Sequence, residues 1–160
     1  MFNIGDKVVY PHHGAGIVEK IVERDVGGER KKFFILSLCN GDLRITVPEE
    51  STLNVGVRNV ISRREVKSVF EVLGREQSQM PSNWNHRYKK NRDKIRSGDV
   101  YEVAEVVRNL SIRDNMKGLS TGEKRMLNQA RKILLSEIIY VLNIDDEKAS
   151  RMLDDVFMQK

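Results

Sequence analysis

The sequence predicts an α+β protein of two domains, with a small β-barrel in residues 1–61 and an all-α helical bundle in residues 62–160. Short runs of Val, Ile and Phe separated by turn residues fill the first part, and apolar residues recur at helical spacing in the second. The charge changes at the same point. The first part carries eight basic and eight acidic residues, and the second carries 20 basic and 15 acidic residues. We therefore expect two folding units, of which only the second is basic.

The predicted strands occupy residues 7–10, 16–25, 31–39 and 42–47. Gly27-Gly28 closes one hairpin. Asn40-Gly41 predicts a two-residue type I′ turn, because both positions of that turn need positive φ. Four short strands are too few for a sandwich. We therefore expect an SH3-like or Tudor-like barrel, with residues 55–60 as a fifth strand.

Capping residues and apolar periodicity predict about five helices in the second part. Ser62 and Glu65 form a capping box that opens a short helix ended by Gly74, and residues 75–81 are a loop. Ser82 predicts the start of a second helix, which ends near residue 97. The others are expected at residues 99–117, from the capping box of Ser120 and Glu123 onward, and from Asp145 or Asp146 to the end.

The second helix carries the clearest functional signal, because residues 86–96 hold six basic side chains against one Asp. At about 100° per residue, Trp84 and Tyr88 share a stripe between two rows of cations. Arg87, Lys90 and Lys94 form one row, and Lys89 and Arg96 form the other. An aromatic ring between phosphate-seeking cations favours nucleic-acid binding. The pattern equally allows Trp84 and Tyr88 to be core anchors beneath solvated cations.

Catalytic and metal sites have little support in the sequence. Cys39 is the single cysteine and lies in an apolar run, which favours a core thiol. His12 and His13 are adjacent and lack a carboxylate or thiol at ligand spacing, so loop packing is favoured over metal binding. Gly14-Ala15-Gly16 precedes a predicted strand where a phosphate loop needs a helix. We expect neither enzymatic activity nor a cofactor.

Membrane insertion is not expected either. No apolar run approaches the ~18 to 20 residues that cross a bilayer, and no secretory h-region follows Met1. Nothing in the sequence has the pattern of a coiled-coil seam. The sequence therefore predicts a cytoplasmic monomer.

The first part has a candidate protein-binding surface. Arg24 lies near the end of the second predicted strand, and Arg44 and Thr46 share one face of the fourth by period-2 alternation. A small barrel that does not close keeps a free edge strand, to which a partner's strand can pair. The alternative is that all three are ordinary exposed polar residues.

Six blocks of the sequence together resemble the CarD-like (CdnL) bacterial transcription regulators. The resemblance covers essentially the whole chain in collinear order. Its blocks are IGDKVVYPHHGAGIVE, NGDL followed by VPEE, VGVRNV, PSNWNHRYKKN, KIRSGDVYEVAEVVRNL and GLSTGEKRMLNQARKIL.

The resemblance implies that residues 1–61 are a Tudor-like domain that pairs with a β-strand of the RNA polymerase β subunit. The Arg in the family's second strand matches Arg24. A second interface Arg that some members carry falls at Thr46 here, and the nearest Arg is Arg44 on the same face. The details of this contact are therefore expected to differ from those in other members.

The resemblance also implies that the helical domain binds promoter DNA at the upstream edge of the transcription bubble. The family's wedge Trp matches Trp84 and its DNA-backbone contacts match Arg87 and Lys89, with Lys90 beside them. His86 stands where a relative can have Arg. The Trp is expected to enter the minor groove, without base-specific readout, and to stabilise the open promoter complex. Polymerase would bring the protein to the nucleoid.

Two other functions fit parts of the sequence. The GDKVV block with Gly14 and Gly16 also fits KOW-type barrels of ribosome or RNA-binding factors, but these would place the basic surface in the first part. An architectural DNA-binding protein that acts without polymerase would bind free DNA tightly.

Overall fold

The computed structural model describes residues 2–158, apart from the side chain of Asn40, and contains one antiparallel sheet followed by helices. The sheet has five strands in the order β4-β3-β2-β1-β5. They are β1 (Lys7–Tyr10), β2 (Gly14–Val26), β3 (Glu29–Leu38), β4 (Leu43–Pro48) and β5 (Arg58–Asn59). Because β4 and β5 are not paired with each other, the sheet is open and the predicted barrel closure is not observed.

The hairpin turns differ in how well the sequence predicted them. Val26 and Glu29 face each other across Gly27 and Gly28, which both have positive φ, so the predicted tight hairpin is confirmed. The predicted two-residue turn at Asn40-Gly41 is wrong. Leu38 faces Leu43 across four residues, three of which form a 3-10 turn.

The predicted fifth strand at residues 55–60 is only partly present. Its first residue, Val55, instead ends the one-turn helix α1 (Thr52–Val55). Gly56 follows in the left-handed conformation, and β5 has two residues. Strand β5 therefore covers only part of β1.

The helical half contains five helices, with starts close to those predicted. They are α2 (Arg63–Gly74), α3 (Trp84–Arg96), α4 (Val100–Met116), α5 (Thr121–Leu142) and α6 (Asp146–Met158). Ser62 and Glu65 form the predicted capping box of α2. Asn83 caps α3 in place of the predicted Ser82, since the Asn83 carboxamide accepts a hydrogen bond from the His86 amide.

Each half has its own apolar core. Alternate residues of β3, Phe34, Leu36 and Leu38, are buried against Val8, Val18, Val47 and Val57. The larger core of the helical half is built from α2 to α6 around Val107, Leu110, Leu134 and Ile138, with Ile95 as the contribution of α3. No helix within residues 2–158 is both long and apolar enough to cross a bilayer.

Polar contacts fasten the sheet to α5. Arg58 forms two hydrogen bonds with the buried Glu137 carboxylate, at 2.7 and 2.9 Å, and Glu137 also accepts from the Ile61 amide. The Ser136 hydroxyl accepts a hydrogen bond from the Ala15 amide at 2.9 Å. Gly14 has a φ of 106°, and a Cβ there would lie 2.8 Å from Ser136 Oγ. Gly14 therefore allows close packing between the two halves.

Candidate nucleic-acid interface

Trp84 begins α3 and lies against the start of α5. Its side chain is 42% exposed, its ring stacks on Tyr88 with centroids 4.9 Å apart and an interplanar angle of 18°, and Nε1 donates to Ser120 Oγ at 3.0 Å. The sequence allowed these two rings to be either exposed for nucleic-acid binding or anchored in the core. Tyr88 packs on the helical core, and Trp84 stacks on Tyr88 and remains open to solvent.

Arg87, predicted to contact DNA, lies in the interior. Its side chain is 3% exposed, and Nε and Nη2 donate to the carboxylate of Glu123 at 2.8 and 3.2 Å. Nη1 donates to the backbone oxygens of Pro81 and Ser82. All three guanidinium nitrogens thus donate to protein groups. Helical period predicted Arg87 in a row of DNA-contacting cations, but the side chain is buried. Arg87 instead links the start of α3 to the start of α5.

Glu123 is the buried partner of this ion pair and is only 2% exposed. Burial alone raises the pKa of a carboxyl group, but the hydrogen bonds and charge of Arg87 outweigh burial and lower the pKa of Glu123. The carboxylate is therefore ionised at neutral pH. The sequence predicted a capping box with Ser120. The Glu123 amide donates to Ser120 Oγ as in a capping box, but the described hydrogen bonds of the Glu123 carboxylate come from Arg87 and the Ser120 hydroxyl.

The cations predicted on α3 divide into exposed and paired groups. His86, Lys89, Lys90 and Arg96 are exposed. Lys94 is instead paired with Glu105 of α4 at 2.9 Å. Positive charge near Trp84 is therefore concentrated in the first two turns of α3.

The start of α5 adds residues that the sequence analysis did not assign to the site. Lys124 and Arg125 are exposed in its first turns, next to Gly122, against which Trp84 packs. The two basic residues are visible in the sequence block GEKR, but only the tertiary contact between Trp84 and α5 connects them with the site. Two helix N-termini, which both favour anions, thus lie beside the exposed indole.

A polar network holds the loop that leads into α3. Arg108 of α4 donates to the backbone oxygen of Val72 and to the Ser78 hydroxyl, and the Asn109 carboxamide bonds both to Arg108 and to Ser78. Residues 75–81 lack regular structure, as predicted, but Ser78 is anchored by α4. The loop that precedes Trp84 is therefore held in place by α4.

The sheet places the three candidate protein-binding residues on one face. Arg24 is opposite Lys31, Thr46 is opposite Ile35 and Arg44 is opposite Ser37, and directly opposite residues point to the same side of a sheet. The guanidinium of Arg24 lies 5.8 Å from the centroid of the Phe33 ring on this face. The residues Arg24, Phe33, Ile35, Arg44 and Thr46 are called the outer sheet surface below.

Arg44 and the neighbouring edge have a defined geometry. A bulge between Val18 and Lys20 leaves Glu19 without a partner in β3. The carboxylate of Glu19 holds Arg44 Nε and Nη2 at 3.1 Å each. Within residues 2–158, strand β4 pairs on one side only, with β3. Its other edge is unpaired there, next to an arginine that a carboxylate of another strand holds in position.

The comparisons with known proteins match both halves of the chain. Residues 2–61 match the CarD-like/TRCF RID domain, and residues 68–154 match the CarD C-terminal domain. The chain belongs to the CarD-like family. It is also 34% identical over 148 residues to the "Putative transcription factor YdeB" of Bacillus subtilis (strain 168), covering 92% of this chain and 97% of that protein. This CarD-like chain is thus a transcription regulator by family.

Cys39 and His12 were the remaining candidates for chemistry in the sequence of this CarD-like protein. Cys39 is half-buried, its thiol lies 3.5 Å from the His13 backbone oxygen, and burial raises the pKa of the thiol. Burial, followed by the charges of His13 and Arg96, lowers the pKa of His12. Within residues 2–158, no three potential metal ligands come together.

Proposed function

We propose that this CarD-like protein binds the RNA polymerase β subunit through the outer sheet surface and the edge of β4, and promoter DNA through the starts of α3 and α5. It would then stabilise the open complex at the upstream edge of the bubble, without base-specific readout. The observation that carries the proposal is the exposed Trp84 indole, held at the meeting point of two cation-bearing helix N-termini. In this proposal, residues 1–61 contact polymerase and residues 62–160 contact DNA.

The DNA contact follows from the chemistry of this surface. His86, Lys89 and Lys90 of α3 and Lys124 and Arg125 of α5 are exposed and suit a phosphate backbone. An aromatic side chain that stacks on an unpaired or splayed base replaces stacking lost when the duplex opens. Arg87 acts in this proposal by holding Trp84 and the two helices, not by touching DNA.

The polymerase contact supplies what these few cations lack. Binding that depends on a small number of phosphates is weak and falls with salt. Attachment to polymerase raises the local concentration of promoter DNA to about the millimolar range, so weak contacts are sufficient. The polar contacts of Arg58 with Glu137 and of Ala15 with Ser136 hold the two surfaces in one arrangement.

The proposed polymerase contact is tested by charge reversal on the outer sheet surface. In an open-complex lifetime assay with cognate polymerase, Arg24→Glu should remove the lifetime gain at the protein concentration that saturates the wild type. Excess variant should restore the gain, because the DNA surface is intact. The matched control is Arg30→Glu on the same hairpin, because Arg30 is opposite Asp25 and so points to the other face.

Arg30→Glu should behave as wild type, since its pair with Glu23 is exposed and contributes little to stability. Equal loss of activity in both variants would contradict a contact specific to the outer sheet surface. An unchanged lifetime with the wild-type protein, together with tight binding to free DNA or to ribosomes, would favour the architectural or the KOW-type function.

His86→Arg should strengthen DNA binding. The variant adds a permanent positive charge in the first turn of α3, where His86 is exposed. If that charge meets a phosphate, the slope of log Kobs against log salt concentration becomes steeper by about 0.9. A salt titration of binding to forked DNA measures the slope. An unchanged slope would place His86 outside the DNA contact.

A further inference from the structure

We infer that Tyr88 and Ser120 are positioning residues that fix the Trp84 indole before DNA binds and leave it one open face. The partner that fits such a ring is a single exposed base at a duplex end or fork. An intact duplex step, whose two neighbouring base pairs would have to enclose the ring, does not fit. The inference rests on the proposed function, because it concerns how Trp84 engages DNA.

Three contacts define the position of the indole. The Tyr88 ring lies nearly parallel to it at 4.9 Å and covers one of its faces. Nε1 donates to Ser120 Oγ at 3.0 Å, which restrains the side-chain torsions that orient the indole. A Cβ on Gly122 would lie 3.4 Å from Trp84 Cζ2, so the backbone of α5 supports the six-membered ring.

The covered face determines which DNA geometry can bind. Full intercalation places a base on each face of the inserted ring, but Tyr88 already occupies one face. A base can stack only on the other face, where it extends the Tyr88 and Trp84 stack to three layers. Because the ring is held in place beforehand, little side-chain freedom is lost on binding.

Ser120 makes three contacts through one hydroxyl group. Its oxygen accepts from the Glu123 amide, which caps α5, and from the indole of Trp84, and the hydroxyl donates to the Glu123 carboxylate at 3.3 Å. Ser62 provides a matched comparison, because its oxygen caps α2 in the same way by accepting from the Glu65 amide at 3.1 Å. Each Ser→Ala change removes one helix cap. Ser120→Ala should lower stability more than Ser62→Ala, because it also removes a donor to Glu123, and only Ser120→Ala releases Trp84.

The first experiment uses fluorescence, because Trp84 is the only tryptophan in the chain. In Ser120→Ala, the DNA-free protein should show a changed emission spectrum and faster acrylamide quenching. Its affinity for a short forked DNA should fall about two- to twelvefold, the range for one lost hydrogen bond. Ser120→Thr, which keeps the hydroxyl, should restore both, and Ser62→Ala should change neither.

The second experiment tests the closed face. Tyr88→Leu keeps an apolar group on the core and removes the ring that covers Trp84. The ratio of forked to fully paired DNA affinity should fall about two- to twelvefold, in line with the loss of one aromatic pair and the opening of a second face. Thermal unfolding of the variant checks that it is folded at the assay temperature.

The outcomes separate this inference from the proposed function. A wild type that prefers forked DNA through Trp84, with Ser120→Ala and Tyr88→Leu unchanged in affinity and fork preference, overturns only the positioning roles. A wild type without fork preference, in which Trp84→Ala has no effect on lifetime or affinity, overturns the proposed function itself.

Discussion

Trp84→Ala should shorten the lifetime of the open complex about five- to 150-fold relative to the open complex formed with the wild-type protein. The range corresponds to the roughly 1 to 3 kcal/mol that stacking of one base on an aromatic side chain contributes. The cations of α3 and α5 and the outer sheet surface are unchanged in this variant, so binding to polymerase should persist. The measurement is the decay of competitor-resistant complexes on a ribosomal RNA-type promoter with cognate polymerase.

A second aromatic substitution controls for loss of structure in this experiment. Trp84→Phe keeps a ring on Tyr88 but cannot donate to Ser120, so it should retain part of the lifetime gain. Trp84→Ala is not expected to unfold the protein, because the side chain is 42% exposed. A lifetime gain that survives Trp84→Ala in full would remove Trp84 from the mechanism.

Arg87→Ala should lower the free energy of unfolding by about 3 to 5 kcal/mol, the cost of leaving one partner of a buried ion pair uncompensated. Glu123 would be left at 2% exposure without its two guanidinium donors. Urea unfolding measures the change. Lys94→Ala is the matched control on the same helix, since its pair with Glu105 is more exposed and should contribute about 1 kcal/mol or less.

The pH dependence of stability should identify the same pair. The folded-state pKa of Glu123 lies below the ordinary value of 4.5, so the pair contributes stability above that pH. This contribution decreases as the pH falls through the folded-state pKa. The stability difference between wild type and Glu123→Gln should therefore be constant near neutrality and narrow under acid. A difference independent of pH would contradict an ionised Glu123.

The salt dependence of DNA binding distinguishes a positioning arginine from a contacting lysine. Lys89→Ala should reduce the magnitude of the salt slope by about 0.9 if it removes one phosphate contact. Arg87→Gln combined with Glu123→Gln leaves the net charge unchanged. The slope should then stay as in the wild type, even if affinity falls because Trp84 is less well held.

The sequence by itself determined the order and type of nearly all elements. Short runs of Val, Ile and Phe between turn residues predicted the first four strands, because β-branched and aromatic side chains favour extended backbone. Ser62 with Glu65 and Ser120 with Glu123 predicted the starts of two helices, because unsatisfied amides at a helix start select such side chains. The basic character of residues 86–96 and the family resemblance also came from sequence alone.

Only the tertiary structure decided which polar residues are available for binding. Arg87 and Lys89 have equal claims in the sequence, but packing of α3 on α5 buries Arg87 against Glu123 and leaves Lys89 in solvent. Helical period gives the angle between side chains and not the direction of the core. Ser120 and Gly122 join Trp84 from 36 and 38 residues away, and the open edge of β4 follows from strand order. These features depend on contacts between distant segments, which no local pattern specifies.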